Sequence, residues 1–569
     1  MYDRAPSARD PRFGVAAAAR HELAHALALL RCLAALLATG AVPEPPRAAE
    51  EALRLEAIRS AARLIGLELD EGEARQMLGG VARNAASFRA LRERALENAL
   101  APATRFHPLP AGETPRVLAL PPRATELPAA TRPADLEELA FAEISTLASL
   151  VRTRQLSCEE LTTSFLARLK RLDAELHCVI SFCEERALAT ARALDAELAA
   201  GKWRGPLHGI PFGAKDLFAA KGAPTTWGAE PFAAQSFDED ATVIARLEEA
   251  GAVLIAKLSL GALAMGDVWF GETTRNPWNP SQGSSGSSAG SASALAAGGV
   301  VFALGTETLG SIVSPSVRCG CTALRPTFGR VSRHGAMALS WTMDKVGPMA
   351  RSFADAALVL EAIAGTDGQD GDVLPAPPFR APAPIDVRGW KVGYPADAYP
   401  EGRGAIFDEL RSLGVELVPL EWSSLSAAPL RVVLEVEAAA AFDELTRSGR
   451  DDLLKRQSPD AWPNLFRTAR LVPAVEYVQA QRARTRLLWE LHRRMEGLAA
   501  IVHPPFWWLL EFNLSGHPTA VAPFGARRGG APDSIAFTGQ LYDEARLLAL
   551  ATAWQASTSH HLRHPPRAR

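Results

Sequence analysis

Cysteine is scarce in this chain: six residues among 569, Cys32, Cys158, Cys178, Cys183, Cys319 and Cys321, form no framework of spaced pairs and read as reduced thiols. Cys319-Gly320-Cys321 lacks the second pair of cysteines or histidines that a closed zinc site needs, so it reads as buried small residues. Charge of one sign is lacking as well. A formal net charge of -3 offers no basic field for a phosphate backbone, which argues against nucleic acid as a direct substrate. The chain has no run of about eighteen uninterrupted apolar residues, the minimum for a membrane-spanning helix. Its nearest approach, Ala24 to Ala41, resembles the apolar part of a signal peptide but is interrupted by Arg31 and preceded by a long irregular segment, so a cytoplasmic location is expected. No internal repeat is present.

What the chain does have is the composition of a globular enzyme, 48% hydrophobic and 22% charged, over a length that exceeds one ordinary core. The spacing predicts a helical extension with a proline-rich linker over residues 1–130 and a catalytic domain over 131–569. In the extension a helical pattern runs from Ala48 to Ala101, with Leu53, Ile58, Ala61, Leu64 and Ile65 as an apolar face suited to docking. From Glu143 onward, helical runs (Cys158 to Arg171, Glu184 to Ala200) alternate with short apolar runs (Ala252 to Ala256, Val300 to Leu304). That alternation implies an α/β layer architecture. Asp367 to Pro384, rich in Asp, Gly and Pro, reads as a surface connection.

Three blocks can carry chemistry. Lys215 follows the apolar turn Gly209-Ile210-Pro211-Phe212. If buried there, its ammonium is disfavoured and a neutral amine becomes available as a base; the other reading is an exposed ion pair with Asp216. Gly283-Ser284-Ser285-Gly286-Ser287-Ser288-Ala289-Gly290-Ser291 has the composition of a flexible linker, yet the helix-forming run Ala292 to Ala297 follows at once. The stretch therefore delivers the chain into a helix start, where small residues let a substrate approach the backbone. Gly305-Thr306-Glu307-Thr308-Leu309-Gly310-Ser311 lies just after an apolar strand. Successive N–H groups in such a turn can form an oxyanion hole.

Together the three blocks resemble the amidase signature family. The resemblance continues through Cys319-Gly320-Cys321-Thr322-Ala323-Leu324-Arg325-Pro326-Thr327-Phe328-Gly329 and Asp344-Lys345-Val346-Gly347-Pro348-Met349, and spans Leu136 to Pro566. It implies a central mixed β-sheet covered by helices on both faces. It also implies Ser311 as nucleophile, Ser287 as relay serine after a cis Gly286–Ser287 bond, and Lys215 as base. The amides of Thr308, Leu309, Gly310 and Ser311 would form the oxyanion hole. Neither metal nor organic cofactor is implied. The chain departs from the family pattern at Leu309 and Ala289, where glycine is usual, at Glu307 for aspartate, and at Val313 for arginine.

The function expected is an amidohydrolase cleaving a carboxylic amide through a serine acyl-enzyme, with esters and carbamates open to the same chemistry. Phe506-Trp507-Trp508 and Phe512 suggest an apolar pocket and an apolar or aromatic acyl group. The expected partners are a small-molecule amide and, at most, a second copy of the chain. The alternative is the glutaminase subunit of a tRNA-dependent amidotransferase, which hands ammonia to a partner. Two weaker motifs compete. Gly286-Ser287-Ser288-Ala289-Gly290 fits the GxSxG elbow with Ser288 as nucleophile, but turn-rich residues precede it where that motif needs a strand. His21-Glu22-Leu23-Ala24-His25 fits HExxH, with no third-ligand pattern behind it.

Overall fold

The computed structural model describes residues 47–93, 106–121, 127–399, 404–421, 426–526 and 530–566. The signal-like stretch Ala24 to Ala41 and the HExxH residues His21 and His25 lie outside the described residues. The chain divides into two compact units, Met1–Leu78 and Gly79–Arg569.

In the first unit, helix α1 (Arg47–Leu64) buries Leu55, Ile58 and Ala62, a spacing of one and two helical turns along one face. Leu64 and Ile65, expected on the apolar face, are instead 89% and 46% exposed. The helix stops there: Gly66 turns left-handed at φ +75°, and the Leu67 N–H closes back on the Ala62 carbonyl at 3.0 Å. This is a Schellman ending, and Leu67, just beyond it, is buried where Leu64 is not. A second helix, α2 (Glu71–Arg92), follows and runs past Leu78, where the first unit ends.

The second unit is built on an eleven-stranded mixed sheet. Its strands are β1 (Val179–Phe182), β2 (Pro211–Lys215), β3 (Val253–Leu258), β6 (Phe302–Glu307), β7 (Thr322–Arg325), β8 (Lys345–Ala350), β9 (Lys391–Pro395), β10 (Glu416–Leu420), β11 (Ala500–His503), β12 (Thr519–Phe524) and β13 (Asp533–Gly539). They lie in the order β1-β3-β2-β6-β8-β7-β12-β13-β11-β9-β10, and β4 (Arg275–Asn276) and β5 (Asn279–Gly283) form a separate ribbon. β2 runs parallel to both β3 and β6, whereas β6 meets β8 antiparallel. All six residues of β3 are buried, as expected of a strand covered on both faces.

Helices flank this sheet. α3 (Cys158–Leu176) starts at a reciprocal capping box between Ser157 and Glu160 and outruns the expected end at Arg171, closing at His177 in the left-handed region. α4 (Glu184–Ala199) ends within a residue of expectation. The strand expected from Val300 instead starts at Phe302 and runs on to Glu307, so its polar end carries the chain into the third sequence block. Further helices used below are α5 (Ala289–Ala296), α6 (Val313–Cys319), α7 (Val432–Ala441), α8 (Ala474–Arg494) and α9 (Leu509–Ser515). Phe106, just before the proline-rich stretch that starts at Pro108, packs edge-on against Phe328 at 4.8 Å, and Leu109 within it is buried with Leu541 and Tyr542. Among the described residues no helix is long and apolar enough to cross a membrane.

Candidate active site

Parallel strands β2 and β6 end side by side, and the side chains at their carboxyl ends face the loops that follow, where α/β sheets hold ligands. Lys215 is the last residue of β2 and is fully buried. Its Nζ donates to Ser287 Oγ at 2.7 Å and to Thr306 Oγ1 at 2.9 Å. Burial pushes this amine down to about 7, with the carboxylates of Asp344 and Glu307 pulling weakly the other way. Asp216 is spent elsewhere: it pairs with Lys257 at 2.8 Å, both side chains wholly buried, and accepts from Thr226. The ion-pair reading of Lys215 with Asp216 is thereby overturned.

Ser287 is 1% exposed and sits one residue before the N-cap Ser288 of α5. The Gly286–Ser287 peptide bond is cis. A Cβ on Gly286 would lie 1.9 Å from the Gly266 carbonyl oxygen, so only glycine lets the two backbones meet. Ser288, the elbow candidate, is wholly buried. Its hydroxyl donates to the Thr306 carbonyl and accepts the Thr306 N–H, both at 3.2 Å. β5 does precede it, but that strand belongs to the separate ribbon and not to the main sheet.

Ser311, 9% exposed, ends the turn between β6 and α6. Its carbonyl accepts the Ser288 N–H at 3.1 Å, which ties this turn to the serine loop. Gly310 takes φ +87°, and a Cβ there would come within 3.1 Å of Leu509 Cδ2 on α9. Among the described residues, no acceptor is found for the N–H groups of Leu309, Gly310 and Ser311. The next two amides are taken: Ile312 and Val313 donate to Glu307 Oε2 at 2.8 and 2.9 Å. Glu307 thus caps the start of α6 with a full negative charge. Burial opposes that charge, but Arg325 Nη1 at 2.6 Å, the Val313 amide and nearby Lys345 hold the carboxyl at about 2. Asn513 Nδ2 adds a donor at 2.9 Å.

Several residues that periodicity did not single out complete the arrangement. Thr308 Oγ1 donates to Asp344 Oδ1 at 2.5 Å, and Asp344 Oδ2 accepts the Leu339 and Ser340 amides. That loop is held in turn by buried Glu437 on α7, which accepts from Ser340 Oγ, Thr342 and, on α8, Tyr477. A buried carboxylate with several donors stays put. A cavity of about 200 Å³ opens beside Thr306 and Thr308; neither Ser287 nor Ser311 lines it. Of the expected aromatic pocket, Phe506 is 55% exposed, while Trp508 and Phe512 pack on buried His503. Cys319 and Cys321 donate their thiols to the Ser284 and Ala292 carbonyls, and burial pushes Cys321 up to about 12.

Comparison with known proteins gives a consistent result. The profile of the family described as Amidase matches residues 160–506. A glutamyl-tRNA(Gln) amidotransferase subunit from Chloroflexus aggregans is 33% identical over 489 residues, 76% of this chain and 100% of the relative. The protein of the same description from Methylococcus capsulatus is 33% identical, covering 74% of this chain and 98% of the relative. Among solved structures, the native peptide amidase of Stenotrophomonas maltophilia superposes with a TM-score of 0.66 at 29% identity, covering 76% of this chain and 99% of that one. An amidase family protein from Bacillus anthracis gives 0.68 at 26% identity, with coverage of 76% and 94%.

Proposed function

The chain belongs to the amidase family, and from that premise we propose that it hydrolyses a carboxamide through an acyl-enzyme on Ser311. The observation that carries this reading is the wholly buried Lys215 amine, held at about 7 and hydrogen-bonded to Ser287 at 2.7 Å. A neutral amine accepts a proton from the Ser287 hydroxyl while Ser287 takes the proton of Ser311. The Ser311 oxygen bonds to the substrate carbonyl carbon. The resulting oxyanion is met by amides of the turn Thr308 to Ser311, of which those of Leu309, Gly310 and Ser311 have no acceptor among the described residues. The carbon–nitrogen bond then breaks, and the leaving ammonia or amine recovers the proton through Ser287. Water repeats the sequence on the Ser311 ester, releasing the carboxylic acid and restoring the serine.

A second reading has its own support. The curated relatives are by name subunits of an amidotransferase, matched over nearly their full length, and they speak for a glutaminase-type subunit more directly than for a stand-alone hydrolase. In that form the same Ser311 chemistry acts on glutamine and the ammonia passes to a partner protein. The peptide amidase likeness supports the stand-alone form.

A fluorophosphonate probe followed by peptide mapping tests the shared chemistry. The expected adduct is on Ser311 and is lost with all turnover in Ser311→Ala, whose fold is retained. Turnover by Ser311→Ala, or an adduct on Ser288, overturns the assignment. Ammonia release from glutamine by the purified chain, by itself and after co-purification of a second protein, separates the two forms.

A further inference from the structure

Arg484 on α8 is wholly buried, and its guanidinium spends its donors on neutral acceptors. Nε donates to the Leu514 carbonyl at 2.6 Å, Nη2 to the Thr342 carbonyl at 2.8 Å and Nη1 to the Thr342 hydroxyl at 2.7 Å. That hydroxyl donates in turn to Glu437 Oε1 at 2.8 Å. Burial pushes the guanidinium down to about 10, with Glu437, beyond the Thr342 hydroxyl, pulling the other way.

The acceptors of Arg484 belong to the two supports of the Ser311 turn. Thr342 lies in the loop whose Asp344 accepts the Thr308 hydroxyl. Leu514 lies on α9, beside Asn513, which donates to Glu307, and on the same helix as Leu509, which faces Gly310. One guanidinium therefore bolts the loop to the helix.

Its open face is covered by Phe106, a residue ahead of the segment 160–506 that the family profile matches. Arg484 Cζ stands 3.6 Å from the centroid of the Phe106 ring, which is 3% exposed. A desolvated cation over an aromatic face is favoured by a factor of about thirty in an equilibrium. The ring is fixed from behind: Phe328 meets it edge-on at 4.8 Å, Leu488 packs in the same cluster, and a Cβ on Gly516 would lie 3.3 Å from Phe106 Cε1.

We propose that Phe106 is a positioning residue for the Ser311 turn, its ring holding the Arg484 guanidinium where it clamps the Asp344 loop to α9. A segment outside the matched region thus takes part in setting the rate. The proposal rests on the reading of Ser311 as nucleophile.

The test measures the second-order rate constant for labelling of Ser311 by a fluorophosphonate in the full chain, without urea, alongside the urea unfolding midpoint. Phe106→Leu keeps an apolar side chain but no aromatic face, and is expected to slow labelling about tenfold, since a displacement of the order of 1 Å at reacting groups costs up to about a hundredfold. Replacement of Phe106 by mono-, di- and trifluorophenylalanine withdraws electrons from the ring face at nearly constant shape. Labelling is expected to slow stepwise along that series, which decides the matter if Phe106→Leu does not fold. A flat labelling rate across the fluorinated series, including one accompanied by a falling urea midpoint, makes the ring a packing element only and overturns the proposal while leaving Ser311 chemistry intact. Absence of an adduct on Ser311 in the unaltered chain overturns the parent reading and this one with it.

Discussion

The titration of Lys215 offers the sharpest test of the chemistry. An ordinary lysine titrates at 10.5, whereas burial brings this one to about 7. The base must be neutral to accept a proton, so kcat/KM should rise with pH and level off above the midpoint. At pH 7 about half of the molecules would hold a neutral amine, against about one in 3,000 for an unshifted lysine. At pH 5 the neutral fraction falls to about 1%, so activity should grow about fifty-fold between pH 5 and 7, with unit slope at the acid end. Initial rates at subsaturating amide and constant ionic strength read this directly. Asp344→Asn sharpens the assay. Asp344 is the foremost charge holding the Lys215 ammonium in place, so its loss should move the midpoint to lower pH. The other charge acting on Lys215 is Glu307, itself paired with Arg325, while the neighbouring Asp216 is paired with Lys257. A profile flat from pH 5 to 9, or a midpoint near 10, would refute the neutral-lysine base.

Two other outcomes follow from the site's supports. Glu307→Gln strips the charge from a wholly buried pair while Arg325 remains, and should cost about 3 to 5 kcal/mol in urea unfolding; a loss below about 1 kcal/mol would show that the pair is not what holds the turn to α6. Gly310→Ala forces a side chain into the left-handed region against Leu509, and should cost about 1 to 2 kcal/mol while lowering kcat through displaced N–H groups. Wild-type kcat in that variant would remove the turn amides from the mechanism.

Much of this architecture is local in origin and so legible in the chain. The capping box at Ser157 and Glu160 and the apolar period behind it yield α3, and the unbroken apolar run at Val253 yields a strand buried on both faces. Glycines 286 and 310 stand where a side chain would meet backbone or a strained φ. The misreadings also have local causes. The apolar face of α1 extrapolated past a helix end that Gly66 imposes, and the strand after Val300 was placed two residues early because burial alone does not tell a strand from the coil entering it.

Residue type and short-range spacing alone determined that a lysine, a serine loop and a glycine-bearing turn exist, each beside an element able to hold it. They could not determine that Lys215 reaches Ser287 across 72 positions, that Thr308 rests on Asp344, or that Glu307 is charged because Arg325 lies beside it. Those facts depend on which strands are neighbours in the sheet and on water being excluded between them. Both are properties of the closed fold: burial lowers the lysine, strand order brings its acceptors within reach, and neither is carried by the periodicity of any one segment.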